Sequence, residues 1–491
     1  MKISPSVSRA TLVLRCTMAY VLVTFGAAHA VSLNPRGLGE VLIYPYYTVN
    51  KNQDTLVTIG NSSDVGKVVN VVAREGMNGR PVLLFRLFLS AHDIWTARIS
   101  ESGGSAGGAS LFTADSSCTF AAPPEADGGL AFGPEGYAGG ASLPPDGGPA
   151  DIGRTREGML EFVEVGTIIP GSALDLATSH APSSEPNAGT PACTPDVLGS
   201  DGFGGGFDVP TGGLHGSAAI VNVGEGTFFA YAADALQDFS DVAIYGPASA
   251  DFHLTLLAVA NSAESASGGA MAHIPDGEGH LQSVDYANGI DAVSAVFMAD
   301  SLLNEYLVSP SLGANTDWIV AFPTRMFYVD AYFVGPGAAR PPFARIAAAA
   351  RSDVAAYARL FDQEEGPCVE CQPMPVPPVG VVLAWQVNAL TFRSPGSSDA
   401  PSEVLGSRLA ISVEPWAEAG WMELDLAIGD GGHALPPATD RTILHGLPAT
   451  GFMVYNIINA NAAPGRLANY GGAFAHRASM AHSQLPAGVS E

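Results

Sequence analysis

The chain has 491 residues, of which 47% are hydrophobic and only 14% charged, with 48 acidic side chains against 22 basic ones. That length supports two or three domains with substantial cores, and the apolar content excludes a disordered chain. The net charge of −26 repels phosphate backbones and anionic lipid, so nucleic-acid binding and attachment to anionic membrane surfaces are excluded as expectations.

The first thirty residues read as a secretory leader. Lys2, Arg9 and Arg15 make a basic start, Cys16 to Phe25 is an apolar run too short to span a bilayer, and Ala28-His29-Ala30 has the small-x-small pattern of a cleavage site. Val31 is therefore the expected mature start, and removal of the leader's three basic residues takes the net charge from −26 to about −29. No second anchor or membrane segment is expected after it.

From Val31 onward the apolar runs have strand texture. Thr55 to Ile59, Lys67 to Val72, Val82 to Leu89 and Ile94 to Ile99 are β-branched or alternating runs, separated by the turn clusters Asn61-Ser62-Ser63-Asp64 and Glu75-Gly76-Met77-Asn78-Gly79. Residues 31–100 thus open an antiparallel sandwich. Residues 101–150 carry 12 Gly and 6 Pro and read as a long loop, as does a second stretch, 181–213. Strand texture returns at Met159 to Val165, Ala218 to Val223, Thr227 to Tyr231, Leu254 to Val259, Ala292 to Met298 and Trp318 to Phe322. Ser301 to Leu307 suits a short helix. Arg345 to Leu360 fits a helix by alanine content and, around Tyr357 to Phe361, a strand equally well. The expected class is all-β, with antiparallel sandwich units (Ig-like or jelly-roll-like) and long Gly/Pro-rich loops. The expected division is a leader at 1–30, a sandwich region at 31–340, a connecting segment at 341–380, and a C-terminal β region at 381–491 with strands at Val379 to Val387, Met422 to Ile428 and Phe452 to Ile458.

Of the five cysteines, four remain after Val31, and an even count in an exported chain points to disulfides. Four cysteines allow three connectivities; the preferred one joins Cys118 to Cys193, tying the two loops together, and Cys368 to Cys371. The Cys368-Val369-Glu370-Cys371 spacing also occurs in redox dithiols, but Gln372-Pro373-Met374-Pro375 cannot build the helix that activates the first thiol, and a zinc ribbon needs a second such pair.

No catalytic residue can be named. Gly103-Gly104-Ser105-Ala106-Gly107 matches the hydrolase nucleophile motif in letters alone, since neither strand nor helix flanks it. Asp276-Gly277-Glu278-Gly279-His280, Asp201 with Asp208, and Asp430-Gly431-Gly432-His433 are loop acids of the kind that hold calcium, without EF-hand spacing. No cofactor is expected beyond a structural calcium ion, and no ligand set for it can be assigned. The histidines are scattered and form no H-E-x-x-H; His273 and His280 share a loop. Trp95, Trp318, Trp385, Trp416 and Trp421 suit either a sandwich core or a sugar-stacking face.

Several segments carry a resemblance. They are Leu33-Asn34-Pro35-Arg36-Gly37-Leu38-Gly39, Tyr44-Pro45-Tyr46-Tyr47-Thr48-Val49-Asn50, Arg154-Thr155-Arg156-Glu157-Gly158, Asn222-Val223-Gly224-Glu225-Gly226-Thr227, Thr316 to Arg325, and Asn469 to His476. Through them the chain resembles a group of uncharacterised exported proteins of Gram-negative bacteria, some labelled only as cell-surface proteins. The resemblance spans nearly the whole chain after Val31 and implies location and architecture, with no activity to carry over. The expected function is a structural or adhesive role at the cell surface, extracellularly or in the periplasm, with envelope components or glycans as partners. The alternatives are a calcium- or carbohydrate-binding module and a two-carboxylate glycosidase, for which no pair among the 48 acidic residues can be singled out.

Overall fold

A computed structural model describes residues 30–103, 107–120, 129–140, 143–180, 189–199, 206–243, 270–276, 279–364, 378–394, 401–459 and 462–484. Alternation sets the first layers. In strand Ile94–Glu101, Trp95, Ala97 and Ile99 point inward while Ile94, Thr96 and Arg98 face solvent, the two-residue period of a half-buried strand. This strand lies in a six-stranded antiparallel sheet ordered Thr227–Ala232, Leu214–Asn222, Asp54–Asn61, Ile94–Glu101, Ala109–Phe112 and Gly129–Ala131. A second sheet runs Ser32–Leu33, Asp234–Gln237, Val41–Thr48, Glu157–Ile168, Lys67–Glu75, Pro81–Leu89 and Cys118–Phe120, with Phe207–Asp208 paired to Glu157–Ile168. The indole of Trp95 lies 5.9 Å from Phe85 and 6.2 Å from Phe162, ring centre to ring centre, so the two sheets share one core. This is the expected all-β sandwich.

Every residue of Glu157–Ile168 is buried, which is unusual for a strand that alternates apolar and acidic residues. The reason is that both faces of its sheet are covered. Phe162 turns toward Trp95, and Glu161, on the opposite face, accepts from Arg74 Nε at 2.7 Å under a second layered unit.

That second unit is another sandwich. One sheet runs Val379–Leu383, Val354–Asp362, Ala419–Asp425, Ser301–Leu307 and Arg477–Ser479; the other runs Ala410–Val413, Val387–Phe392, Ala314–Ala321, Thr450–Ile457 and Tyr470–Ala475. Tyr306 and Phe392 stack at 5.2 Å between them. The pairing of Ala410–Val413 with Val387–Phe392 is parallel. Strands from both sides of residues 341–380 enter these sheets, so the segment expected to connect two regions lies inside one of them.

Other segments depart from the sequence reading. Ala292 to Phe297, expected as a strand, belongs to helix Gly289–Phe297, started by the Asn288 side chain accepting from Asp291 N. A short apolar run has no periodicity to separate buried helix from buried strand, and the Asn288–Asp291 cap is the signal that decides it. Ser301–Leu307 is a strand, not a helix; its residues pair along Ala419–Asp425. The ambiguous Arg345 to Leu360 resolves into strand Val354–Asp362, preceded by irregular chain. Among its described residues the glycine-rich stretch 101–150 holds the short strands Ala109–Phe112, Cys118–Phe120 and Gly129–Ala131 and the turn of helix Glu135–Ala138. Leu254 to Val259 lies outside the described residues.

Candidate functional site: a cavity between the sandwiches

Where the two sandwiches meet, strand Asp234–Gln237 of the first faces strand Thr450–Ile457 of the second. Thr450 Oγ1 donates to Asp234 Oδ2 across this seam. Nearby, Tyr231 and Phe452 stack at 4.4 Å, closing one side. A cavity of about 470 Å³ opens beside Asp234, floored by helix Gly289–Phe297 and walled by Leu33, Val296, Phe297, Met298, Leu302, Ala478 and Met480. Its size falls in the range of small-molecule sites, about 300–1,000 Å³.

The polar groups on its wall are few. Asp234 is partly buried on the cavity wall, and burial pushes its carboxyl up to about 6. No Lys, Arg or His among the described residues pairs with it. His476 also reaches the cavity, but both its ring nitrogens are occupied. Nε2 meets the Ile319 carbonyl at 2.9 Å, and Nδ1 meets the Asn304 amide nitrogen at 3.1 Å. That pattern fits the tautomer with its proton on Nε2, and burial holds the ring neutral by lowering its pKa to about 4. Ser479 Oγ is paired with Ser301 Oγ at 2.6 Å, and His273 Nδ1 with Ser283 Oγ at 3.0 Å. The cavity therefore has an apolar lining and one charged group without a cation.

Compared with family models, with curated proteins and with solved structures, the chain has no match in any of the three.

A second polar region lies at the seam and is built differently. Glu75 accepts from the backbone of Met77, Asn78 and Arg80 at 2.7–3.1 Å and pairs with Arg154 at 2.9 Å, which in turn pairs with Asp146 at 2.7 Å. Arg80 reaches Asp330, and Glu157 accepts from Ser407 Oγ at 2.6 Å, Tyr46 Oη at 2.9 Å and Arg408 N at 2.8 Å. These ionic groups are spent on one another, which makes them a joint rather than a binding surface. Beside them a smaller cavity of about 230 Å³ is lined by Trp385, Asp151, Arg154 and Arg408. Arg351 lies over the Trp385 ring at 5.4 Å.

The residues singled out in the sequence fall as follows. Cys118 and Cys193 form a disulfide, with Cα atoms 5.3 Å apart; Cys368 and Cys371 lie outside the described residues, as do Ser105, Asp201, Gly277 and Glu278. Asp276 accepts from His280 N at 2.8 Å, Asp208 from Val209 N at 2.8 Å, and Asp430 from Ala355 N at 2.9 Å. Among the described residues no group of three His, Cys, Asp or Glu is placed to hold a metal ion. Trp95 and Trp318 are core residues, while Trp385, Trp416 and Trp421 keep partial exposure. No reading of the sequence pointed to Asp234 or Thr450. They stand 216 positions apart and come together only through the packing of two sandwiches.

Proposed function

We propose that the chain is an exported protein with a structural or adhesive role at the cell surface or in the periplasm. The observation that carries this reading is the joining of two sandwiches through a buried seam of ion pairs and aromatic stacking, which makes a large, stiff body of the kind an envelope component needs. The Cys118–Cys193 bond supports an oxidising compartment, and the leader pattern of residues 1–30 supports export. The test is expression of the 491-residue chain in a Gram-negative host, followed by fractionation and N-terminal sequencing. A mature form starting at Val31 in the envelope or medium is expected; a full-length cytoplasmic product overturns the reading.

A glycan-binding reading is favoured by one observation. The partly exposed Trp385 ring shares its cavity with Arg408, whose guanidinium makes no ion pair among the described residues. Aromatic faces stack on sugar rings and a free guanidinium binds acidic substituents. A glycan array read with the wild type and Trp385→Ala tests it: signals lost in the variant support it, and an array without signals ends it.

A further inference from the structure

We propose that the cavity between the sandwiches binds an organic cation, an apolar body carrying an ammonium group that sits against Asp234. This goes beyond the envelope role and does not depend on it.

The argument starts from cost. A carboxylate at the wall of an apolar cavity is expensive to keep unless something pairs with it. Asp234 has one hydrogen bond, from Thr450, and no cationic partner among the described residues. Near neutral pH a carboxyl with a pKa of about 6 is largely ionised, so the cavity carries a negative charge awaiting compensation. The rest of the wall decides the class of ligand. His476 and Ser479 have their polar atoms committed to Ile319, Asn304 and Ser301, and His273 spends Nδ1 on Ser283 Oγ. A ligand thus meets the Asp234 carboxylate and no Lys or Arg in the lining. Anions are repelled, neutral apolar molecules gain burial alone, and an amphiphilic ammonium gains both burial and the ion pair. Met298, Leu302 and Phe297 supply the apolar contact, and the Phe297 ring adds a face of the kind cations favour.

The experiment is calorimetric titration of the purified, folded protein with three probes of equal chain length: octylammonium, octanol and octanoate. Octylammonium is expected to bind at least about ten-fold more tightly than octanol, one carboxylate–ammonium contact's worth, and octanoate more weakly still. Asp234→Asn keeps an acceptor for Thr450 and removes the charge, so octylammonium should fall to the octanol level. Ala478→Trp places an indole at the wall and should weaken both. Asp208→Asn, an exposed acid on the first sandwich, controls for diffuse attraction to a negative surface and should change nothing. Circular dichroism confirms that each variant is folded; if Asp234→Asn does not fold, the Ala478→Trp series and the probe ranking decide alone. Octylammonium affinity that persists in Asp234→Asn, equal binding of octanoate, or no binding of octylammonium overturns the proposal.

Discussion

Arg80 and Asp330, 250 residues apart, make a two-point ion pair, with Arg80 Nε 2.7 Å from Asp330 Oδ2 and Nη2 3.0 Å from Oδ1. Arg80 comes from the first sandwich, and Asp330 from between the helical turns Met326–Val329 and Ala331–Val334, which link strands Ala314–Ala321 and Val354–Asp362 of the second. The same Asp330 carboxylate accepts from Asn78 Nδ2 at 2.7 Å and from Tyr332 N at 2.9 Å, so all its capacity is used. With side-chain exposures of 1% and 5%, neither charge can turn to water if the other is lost. Asp330→Ala should therefore cost about 3–5 kcal/mol, mainly the penalty of stranding Arg80. Urea denaturation followed by intrinsic fluorescence checks this; a shift under about 1 kcal/mol would mean that water reaches the seam.

Glu40 supplies a dependence on pH. Its carboxyl is pushed up to about 7, first by burial and then by the nearby Glu164, against the hydrogen bonds from Ser240 N and Phe239 N. Folding thus favours the protonated acid. Stability from this group is intact below the ordinary carboxyl value of 4.5 and declines as pH rises to about 7. Asp234 acts in the same sense between 3.8 and about 6. His476 acts oppositely, since its folded value of about 4 lies below the ordinary 6.5 and stability is lost as pH falls through that window. Glu40→Gln, which still accepts from both amides, should stabilise the protein by about 3 kcal/mol above pH 7 and by little near pH 4. Melting curves across that range read it directly. A gain of equal size at both ends would show that the charge is irrelevant.

The Cys118–Cys193 bond closes a loop with a sequence separation of 75. In the chain-entropy picture such a loop is worth about 4.5 kcal/mol, so the double Cys118→Ala, Cys193→Ala variant should unfold at markedly lower urea while keeping the native circular dichroism. Reduction of the wild type should reproduce the shift.

Gly158 sits in the central strand of the first sandwich, where an added Cβ would lie 1.8 Å from the Arg74 carbonyl oxygen. Backbone, unlike a side-chain tip, has no room to yield. Gly158→Ala should destabilise by at least about 1–3 kcal/mol and lower the soluble yield. A glycine at an open turn position, Gly226→Ser, pays only for its positive φ of 67° and should be milder.

Strands such as Lys67–Glu75 and Ile94–Glu101 were legible because local chemistry and final pairing agree: β-branched or alternating runs end at turn residues, whether the strand ends fully buried, as Lys67–Glu75 is, or half-covered, as Ile94–Glu101 is. Legibility failed where short apolar runs take their structure from distant partners. Ala292 to Phe297 and Ser301–Leu307 exchange roles relative to expectation: the first is buried all round and keeps no period to read, and the second is held as a strand by its pairing with the distant Ala419–Asp425. The acids of Glu157–Ile168 look like a solvent face in the sequence, and their partners Arg74 and Lys67 lie 87 and 97 positions away. The cavity was invisible for the same reason. Asp234 and Thr450 come from separate strands and His476 from the link between two more, and no spacing along the chain announces them.

Residues 470–484 enter three different sheets: Tyr470–Ala475 lies beside Thr450–Ile457, Arg477–Ser479 beside Ser301–Leu307, and Ala481–Gln484 beside Thr442–His445. This makes the second sandwich a late event. As the chain is made from its N-terminal side, strands Ser301–Leu307 and Thr450–Ile457 keep an unsatisfied edge until residues 470–484 are added. Something must keep those edges from pairing with a neighbouring chain during the delay, and a stalled or clipped product lacking them would be the form most prone to clump.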